Sequence, residues 1–340
     1  MRPLLDQQPV SAIAPPPRWR GLAFLLAISS VYLALLLYVD RDTGVLSRLA
    51  ELPGSLALCA VLVSGSFAMR YQRWHCLLRV QGYEVHWGVG LRAYVAGFAF
   101  TASPGKAGEL LRIRYFGNLN VPPQVVLATF IVERGQDLLV ITALGVGVSA
   151  LIPAFGALAM LVAGSLSVLY LATRWPWLLQ KMGAIGDRLP FAWGRRLASF
   201  LIAGVSGVSP LLRWSVMLPG LVLGGSAWLL IALAFAALCS VLGMHLSWPQ
   251  ALGIYPVAML AGAASFVPGG VGTTEAAIVL MLTTVGANMD VAVTAAIGIR
   301  LASLWLAIVM GMLAMASLEI RPARQCSRSA SAATEGAFDS

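Results

Sequence analysis

The chain reads as an all-α polytopic membrane protein, and three observations predict it. Of its 340 residues, 59% are hydrophobic and only 11% are charged, where a soluble domain carries about 25% charged residues. Several apolar runs reach the ~20 residues that a helix needs to cross a bilayer. The ~10-residue alternating segments of a membrane β-barrel are absent. The expected layout is six full spans plus two broken, re-entrant helical hairpins arranged as an inverted repeat, all within one transmembrane domain over residues 21–320. Residues 1–20 (polar, Pro-rich, basic) and 321–340 (Ser/Ala-rich) are expected to be disordered cytoplasmic tails.

Composition also excludes function classes. A net charge of +9 in a soluble protein would point to nucleic acid. In a membrane protein, Lys and Arg gather in cytoplasmic loops instead, so no nucleic-acid partner is expected. Cys59, Cys76, Cys239 and Cys326 show no paired spacing, and His75, His86 and His245 are scattered. Neither a disulfide framework, a metal site nor a cofactor is expected from them.

Span one is expected over 21–39. Its C-terminal flank, Tyr38-Val39-Asp40-Arg41-Asp42, lacks a small-residue cleavage pattern, so it reads as an uncleaved anchor. Loop 40–51 has one more acid than base, and span two is expected over 52–69. Arg70, Arg73 and Arg79 then read as a basic cytoplasmic loop, 70–88. This puts both termini inside and loop 40–51 outside. Residues 88–100 are apolar but too short to span comfortably, and they end at Pro104-Gly105. Proline blocks helix continuation and glycine accepts positive φ, so 89–118 is the first hairpin. A helix is expected over 124–151, carrying Glu133, Arg134 and Asp137, and span four over 155–173. The basic stretch after it, with Trp175, Trp177 and Trp193, suits an interfacial belt, and part of 195–210 an amphipathic interfacial helix. Span five is expected over 215–242, where Gly220-x-x-x-Gly224 permits close helix packing. The second hairpin is expected over 250–287, around Pro268-Gly269, and the last span over 291–318. Three full spans separate the hairpins, an odd number, so the two open to opposite faces. Inverted repeats with interrupted helices are the sequence pointer to a transporter site.

The hairpins share a pattern. Pro104-Gly105-Lys106-Ala107-Gly108-Glu109 is echoed by Pro268-Gly269-Gly270-Val271-Gly272-Thr273-Thr274-Glu275, with two extra residues before the second Glu. Each Glu precedes an Arg by the same interval, Glu109 to Arg134 and Glu275 to Arg300. A helix starting at each glycine-rich break would aim its free N–H groups at an anion, such as a lipid phosphate, and Lys106 adds a cation in the first copy only. A charge at membrane depth costs about 2.5–3.5 kcal/mol on insertion scales, so each needs a partner. Arg300 is the expected partner of Glu275. Arg134, or Arg112 one turn on, is that of Glu109. Two readings follow: ion pairs that brace the hairpins, or groups that bind headgroup or proton and exchange partners. Glu133 and Asp137 share a helix face, but no nucleophile lies near them in the sequence. Ion pairing or ion coupling is expected there and catalysis is not.

Three blocks and a lone arginine carry a family resemblance: Ser103-Pro104-Gly105-Lys106-Ala107-Gly108-Glu109-Leu110-Leu111-Arg112, Val132-Glu133-Arg134-Gly135-Gln136-Asp137, Val267-Pro268-Gly269-Gly270-Val271-Gly272-Thr273-Thr274-Glu275, and Arg300. Together they resemble the lysylphosphatidylglycerol synthase transmembrane-domain family over about 20–320. In full-length synthases that region resembles a flippase module and a separate soluble domain performs the aminoacyl transfer. This chain has no such domain after residue 320, so the resemblance implies a stand-alone member that moves lipid without synthesising it. The implied substrate is an anionic or polyprenyl-linked lipid. The site expected from hairpins and blocks comprises Pro104, Gly105, Lys106, Gly108, Glu109, Arg112, Glu133, Arg134, Asp137, Pro268, Gly269, Gly270, Gly272, Glu275 and Arg300. One departure stands out: Gly298-Ile299 precedes Arg300 where Glu133 precedes Arg134, so the halves are not chemically equivalent. No nucleotide-binding motif is present, which leaves an ion gradient or the lipid's own gradient as driving force. The alternative is a non-transporting membrane partner or scaffold for a lipid-modifying enzyme. An intramembrane transferase would need a carboxylate cluster at the interface or a DxD motif, and neither is found.

Overall fold

The computed structural model describes residues 27–335 except 28, 29, 31, 39, 42, 153, 154, 189 and 190. The first tail and most of span one therefore lie outside the described residues, although 32–38 are helical. The described residues form helices and no strand. Four helices among them are long and apolar enough to cross a membrane: Pro53–Val80, Phe155–Arg174, Trp214–Val241 and Met289–Ile320.

In chain order, α1 is Val45–Ala50, α2 Pro53–Val80 and α3 Trp87–Ala96, the last followed by a 3-10 turn at Gly97–Phe100. After the first break come a 3-10 segment, Pro104–Leu111, and α4, Arg112–Gly117. Then follow α5 (Pro123–Gly145), extended in 3-10 form to Leu151, α6 (Phe155–Arg174), α7 (Pro176–Asp187), α8 (Ala192–Ser206) and α9 (Trp214–Val241). The second break separates α10 (Trp248–Ala264) from α11 (Thr273–Thr284). Finally α12 (Met289–Arg300) passes through a π-helical turn, Leu301–Trp305, into α13 (Leu306–Glu335).

Helix α2 is eleven residues longer at its C-terminal end than the apolar run predicts. Nothing between Met69 and Gly82 breaks a helix, and Gly82 takes φ +86°. The buried stripe of α2 runs Cys59, Val63, Phe67, Arg70, Tyr71, Trp74, Leu78, the i, i+3, i+4 spacing of one face. Arg70 and Arg73 sit inside this helix, buried, and not in a basic loop. That corrects the loop at 70–88 and removes two of the three arginines from the orientation argument. Helix α2 packs mainly on α9, which packs also on α5 and α10. The Gly220/Gly224 pair of α9 makes room for side chains. A Cβ on Gly220 would run into the Gln136 amide, and one on Gly224 into Arg73 Nη1.

Helix α5 holds Glu133, Arg134 and Asp137 within one turn and for that reason falls outside the four helices apolar enough by composition. Helix α6 is mostly uncovered, with Phe155 and Val162 as its buried residues. The expected amphipathic segment is α8, which packs on α5 and α7. Trp175, Trp177 and Trp193 are all exposed, as an interfacial belt requires. Helix α13 continues past Ile320 to Glu335, where a disordered tail is expected. Alanine, arginine and glutamine in that stretch are good helix formers.

Both hairpins fold back on themselves. Helix α10 packs on α11 across the second break, and Gly97–Phe100 packs on Pro104–Leu111 across the first. Their tips then meet: Pro104–Leu111 touches Pro268–Gly270, and a Cβ on Gly269 would lie 3.3 Å from Ala102 Cα. This contact between the tips positions the site.

Candidate functional site

The first tip is a junction of four chain segments. Helix α2 supplies Arg70 and Arg73, α3 Tyr94, the first tip and α4 Glu109 and Arg112, and α5 Glu133, Arg134 and Asp137. Arg73 Nη2 donates to Asp137 at 2.9 Å and to Glu133 at 3.2 Å. Arg70 reaches the other Asp137 oxygen at 3.2 Å. Arg112 pairs with Glu109 at 3.1 Å and with Glu133 at 3.2 Å, and its guanidinium lies 3.8 Å from the Tyr94 ring centroid. Arg134 lies 3.2 Å from Asp137, 3.4 Å from Glu133 and 3.9 Å from Glu109. Neutral donors complete the shell: the Tyr94 hydroxyl donates to Glu133, Thr101 to Glu109 at 2.9 Å and Trp228 Nε1 to Asp137 at 3.2 Å. Desolvating a carboxylate or a guanidinium costs several kcal/mol per ion, and this dense pairing offsets it.

Glycines make the first site possible by being small. A Cβ on Gly97 would stand 2.6 Å from Arg112 Cγ, and one on Gly108 2.8 Å from Ser103 Oγ, besides striking Phe100. Ser103 Oγ accepts from Gly108 N at 2.5 Å, which ties the turn. The expected helix N-terminus at this tip is 3-10 over its first eight residues. The side chains of Pro104, Gly105 and Lys106 lie outside the described set.

The second tip is sparser. Arg300, fully buried at the end of α12, donates from Nε to Glu275 Oε1 at 2.8 Å and from Nη2 to the Gly269 carbonyl at 2.5 Å. Glycines here serve backbone geometry: Gly269, Gly270 and Gly272 have φ of 64°, 62° and 79°, a region that costs an L-residue with a Cβ about 1–2 kcal/mol. Phe266 at φ 55° occupies that region without being glycine. Helix α11 starts properly, with Gly272 as N-cap and Glu275 in its first turn. The chain's own carboxylate therefore already faces the positive end of the helix dipole.

A cavity of about 290 Å³ lies between the tips. Of the predicted residues, Glu109, Arg134, Asp137, Gly269, Gly270 and Arg300 line it. Arg112, Glu133 and Glu275 stand behind that wall, holding the ones that do. The expected 25-residue pairing holds for Glu275 with Arg300. For Glu109 the nearer arginine is Arg112, and Arg134 serves Asp137 and Glu133 more closely. Sequence reasoning missed Arg70, Arg73, Tyr94, Trp228, Tyr255 and Thr274. Only the arginines left a legible signal, the helical register that carries the α2 stripe through them.

Fold and site together define a multi-pass, all-α membrane protein with a charged cavity where two broken helical units meet. Residues 22–311 match the family described as Lysylphosphatidylglycerol synthase TM region, and the chain belongs to that family. This membership relates it to lipid handling in a membrane. No curated protein is significantly similar to it.

Proposed function

We propose that the protein is a lipid translocase of the bacterial inner membrane that carries an anionic headgroup through the cavity between the hairpin tips, and is not an enzyme. One observation carries the reading: both broken units end at a single cavity, lined by Glu109 of the first unit and by charges on the helices that follow each unit, Arg134 and Asp137 on α5 and Arg300 on α12. Irregular backbone at membrane depth is tolerated where it lines such a cavity, and interrupted helices in corresponding positions are a transporter feature. The reading includes six full spans and an inverted repeat, with hairpins entering from opposite faces and both termini cytoplasmic. The acyl chains stay in the bilayer while the headgroup passes. A lipid-modifying enzyme would act before or after transport as a partner.

The test is reconstitution into vesicles and measurement of leaflet exchange of an acyl-labelled anionic lipid. Protein-dependent exchange that drops at least several-fold in Glu275→Gln is the expected result. Exchange at the protein-free rate with wild type would sink the reading and favour the scaffold alternative. Equal rates for wild type and Glu275→Gln would remove that carboxylate from the path.

A further inference from the structure

The charges around the cavity do not balance. Arg70, Arg134 and Arg300 line it against Glu109 and Asp137. Behind them, Arg73 and Arg112 both pair with Glu133, and Glu275 pairs with Arg300. Counted either way, the described residues leave one formal positive charge in surplus. Arg134 is where that surplus meets the cavity: it lines the wall, its side chain is 23% exposed, and its buried Nε has no hydrogen-bond acceptor. Across the cavity Thr274, 1% exposed, presents a hydroxyl that also has no partner. An uncompensated buried charge is costly, and a bound anion of charge −1 would balance it.

We infer that the site selects a lipid whose headgroup is a small phosphodiester monoanion, contacted by Arg134 and Thr274. This rests on the translocase reading and narrows its substrate. A phosphomonoester, at about −1.5 to −2 near neutrality, over-fills the charge. A zwitterionic headgroup leaves the surplus uncompensated, and an aminoacylated one adds cation to it. Size narrows it further. At about 290 Å³ the cavity is at the lower edge of the roughly 300–1,000 Å³ typical of ligand pockets. That space matches a single small headgroup.

The test uses the full chain in detergent and in phosphatidylcholine vesicles, with acyl-labelled phosphatidylglycerol, phosphatidic acid, phosphatidylethanolamine and lysylphosphatidylglycerol. Thermal stabilisation on lipid addition reports binding, and leaflet exchange reports transport. Phosphatidylglycerol should stabilise and exchange about tenfold better than the others, the ratio a ~1.4 kcal/mol preference gives. Arg134→Gln, which neutralises the site, should keep the fold and lose that preference, with phosphatidylethanolamine rising to parity. Asp137→Asn, at two surplus charges, should shift preference toward phosphatidic acid. Equal response to all four lipids in wild type, or preference for the lysyl ester, overturns the inference without any variant. So does full stabilisation by water-soluble glycerophosphoglycerol at equal concentration, which would assign the site to a free phosphodiester. Selective stabilisation without exchange of any lipid leaves the charge selection standing and fails the translocase reading alone.

Discussion

In the first hairpin Glu109 is 2% exposed, at the edge of a network in which four guanidiniums and three carboxylates arrive from α2, the first tip, α4 and α5. In the second, Glu275 keeps 15% of its side chain exposed and has one guanidinium, Arg300, which also holds the Gly269 carbonyl. The same Pro-Gly pattern and the same Glu-to-Arg interval thus produce a shared lattice at one tip and an isolated pair at the other. The difference originates in the preceding long helices. Helix α2 brings Arg70 and Arg73 inward, whereas α9 has no charged residue over its whole length and offers the Trp228 ring, over which Arg70 sits at 4.7 Å. Redundancy makes the first site rigid and positively biased. The second site rests on a single, partly open pair.

Breaking the lattice should cost most. Arg112→Ala leaves Glu109 and Glu133 buried without their shared cation, and loss of one partner of a buried pair costs about 3–5 kcal/mol. The expected outcome is aggregation or a steep fall in melting temperature in detergent. A variant as stable as wild type would mean that the other arginines carry both acids. Glu275→Gln should cost less, about 1.5–3 kcal/mol, the scale of a hydrogen bond to a charged group, because Arg300 keeps its carbonyl acceptor. If the two losses prove equal by thermal melting, the contrast between lattice and pair is wrong.

The glycines sharpen the same contrast. Gly269→Ala should cost about 1–2 kcal/mol through its left-handed backbone. Gly269→Asn should recover part of that, since asparagine tolerates the region. At Gly108 asparagine should do no better than alanine, because there the obstacle is Phe100 and not φ. Matching rescue by asparagine at both positions would refute the separate roles. The smallest effect is expected on the surface, at the exposed pair Arg48–Asp290, 3.3 Å apart. Removing it by Asp290→Asn should change stability by about 0.2–1 kcal/mol, measured by the same melts. A larger loss would show that the link between α1 and α12 matters more than exposed ion pairs ordinarily do.

Much of this was legible in the residues. Apolar runs and proline-glycine punctuation placed both breaks and the long helices within a few positions, except the C-terminal ends of α2 and α13, because lipid leaves the backbone few alternatives to a helix. The 25-residue interval identified Arg300 as the partner of Glu275. For Glu109 the interval found the more distant of two partners: Arg112, one turn away, lies at 3.1 Å and Arg134 at 3.9 Å. Arg70 and Arg73 were read as loop residues because a basic pair at the end of an apolar run is the usual mark of a cytoplasmic flank. The burial of Arg73 depends on Gly224, and that of Arg112 on Gly97, clearing space on other elements, which no local pattern reveals. The shared glycine motif likewise conceals two functions, close approach at Gly108 and positive φ at Gly269.

Local composition and periodicity were enough to settle membrane residence, helical class, the two interruptions and the carboxylate at each. They could do so because hydropathy and backbone sterics act over a few neighbouring residues. Tertiary packing decided that the two tips meet at one cavity, that α2 brings Arg70 to its wall and Arg73 behind it, and that the charges among the described residues leave a single positive surplus. These depend on side chains up to 230 positions apart, between Arg70 and Arg300, lining a common wall. Their electrostatic sum exists only once folding has brought these charges together.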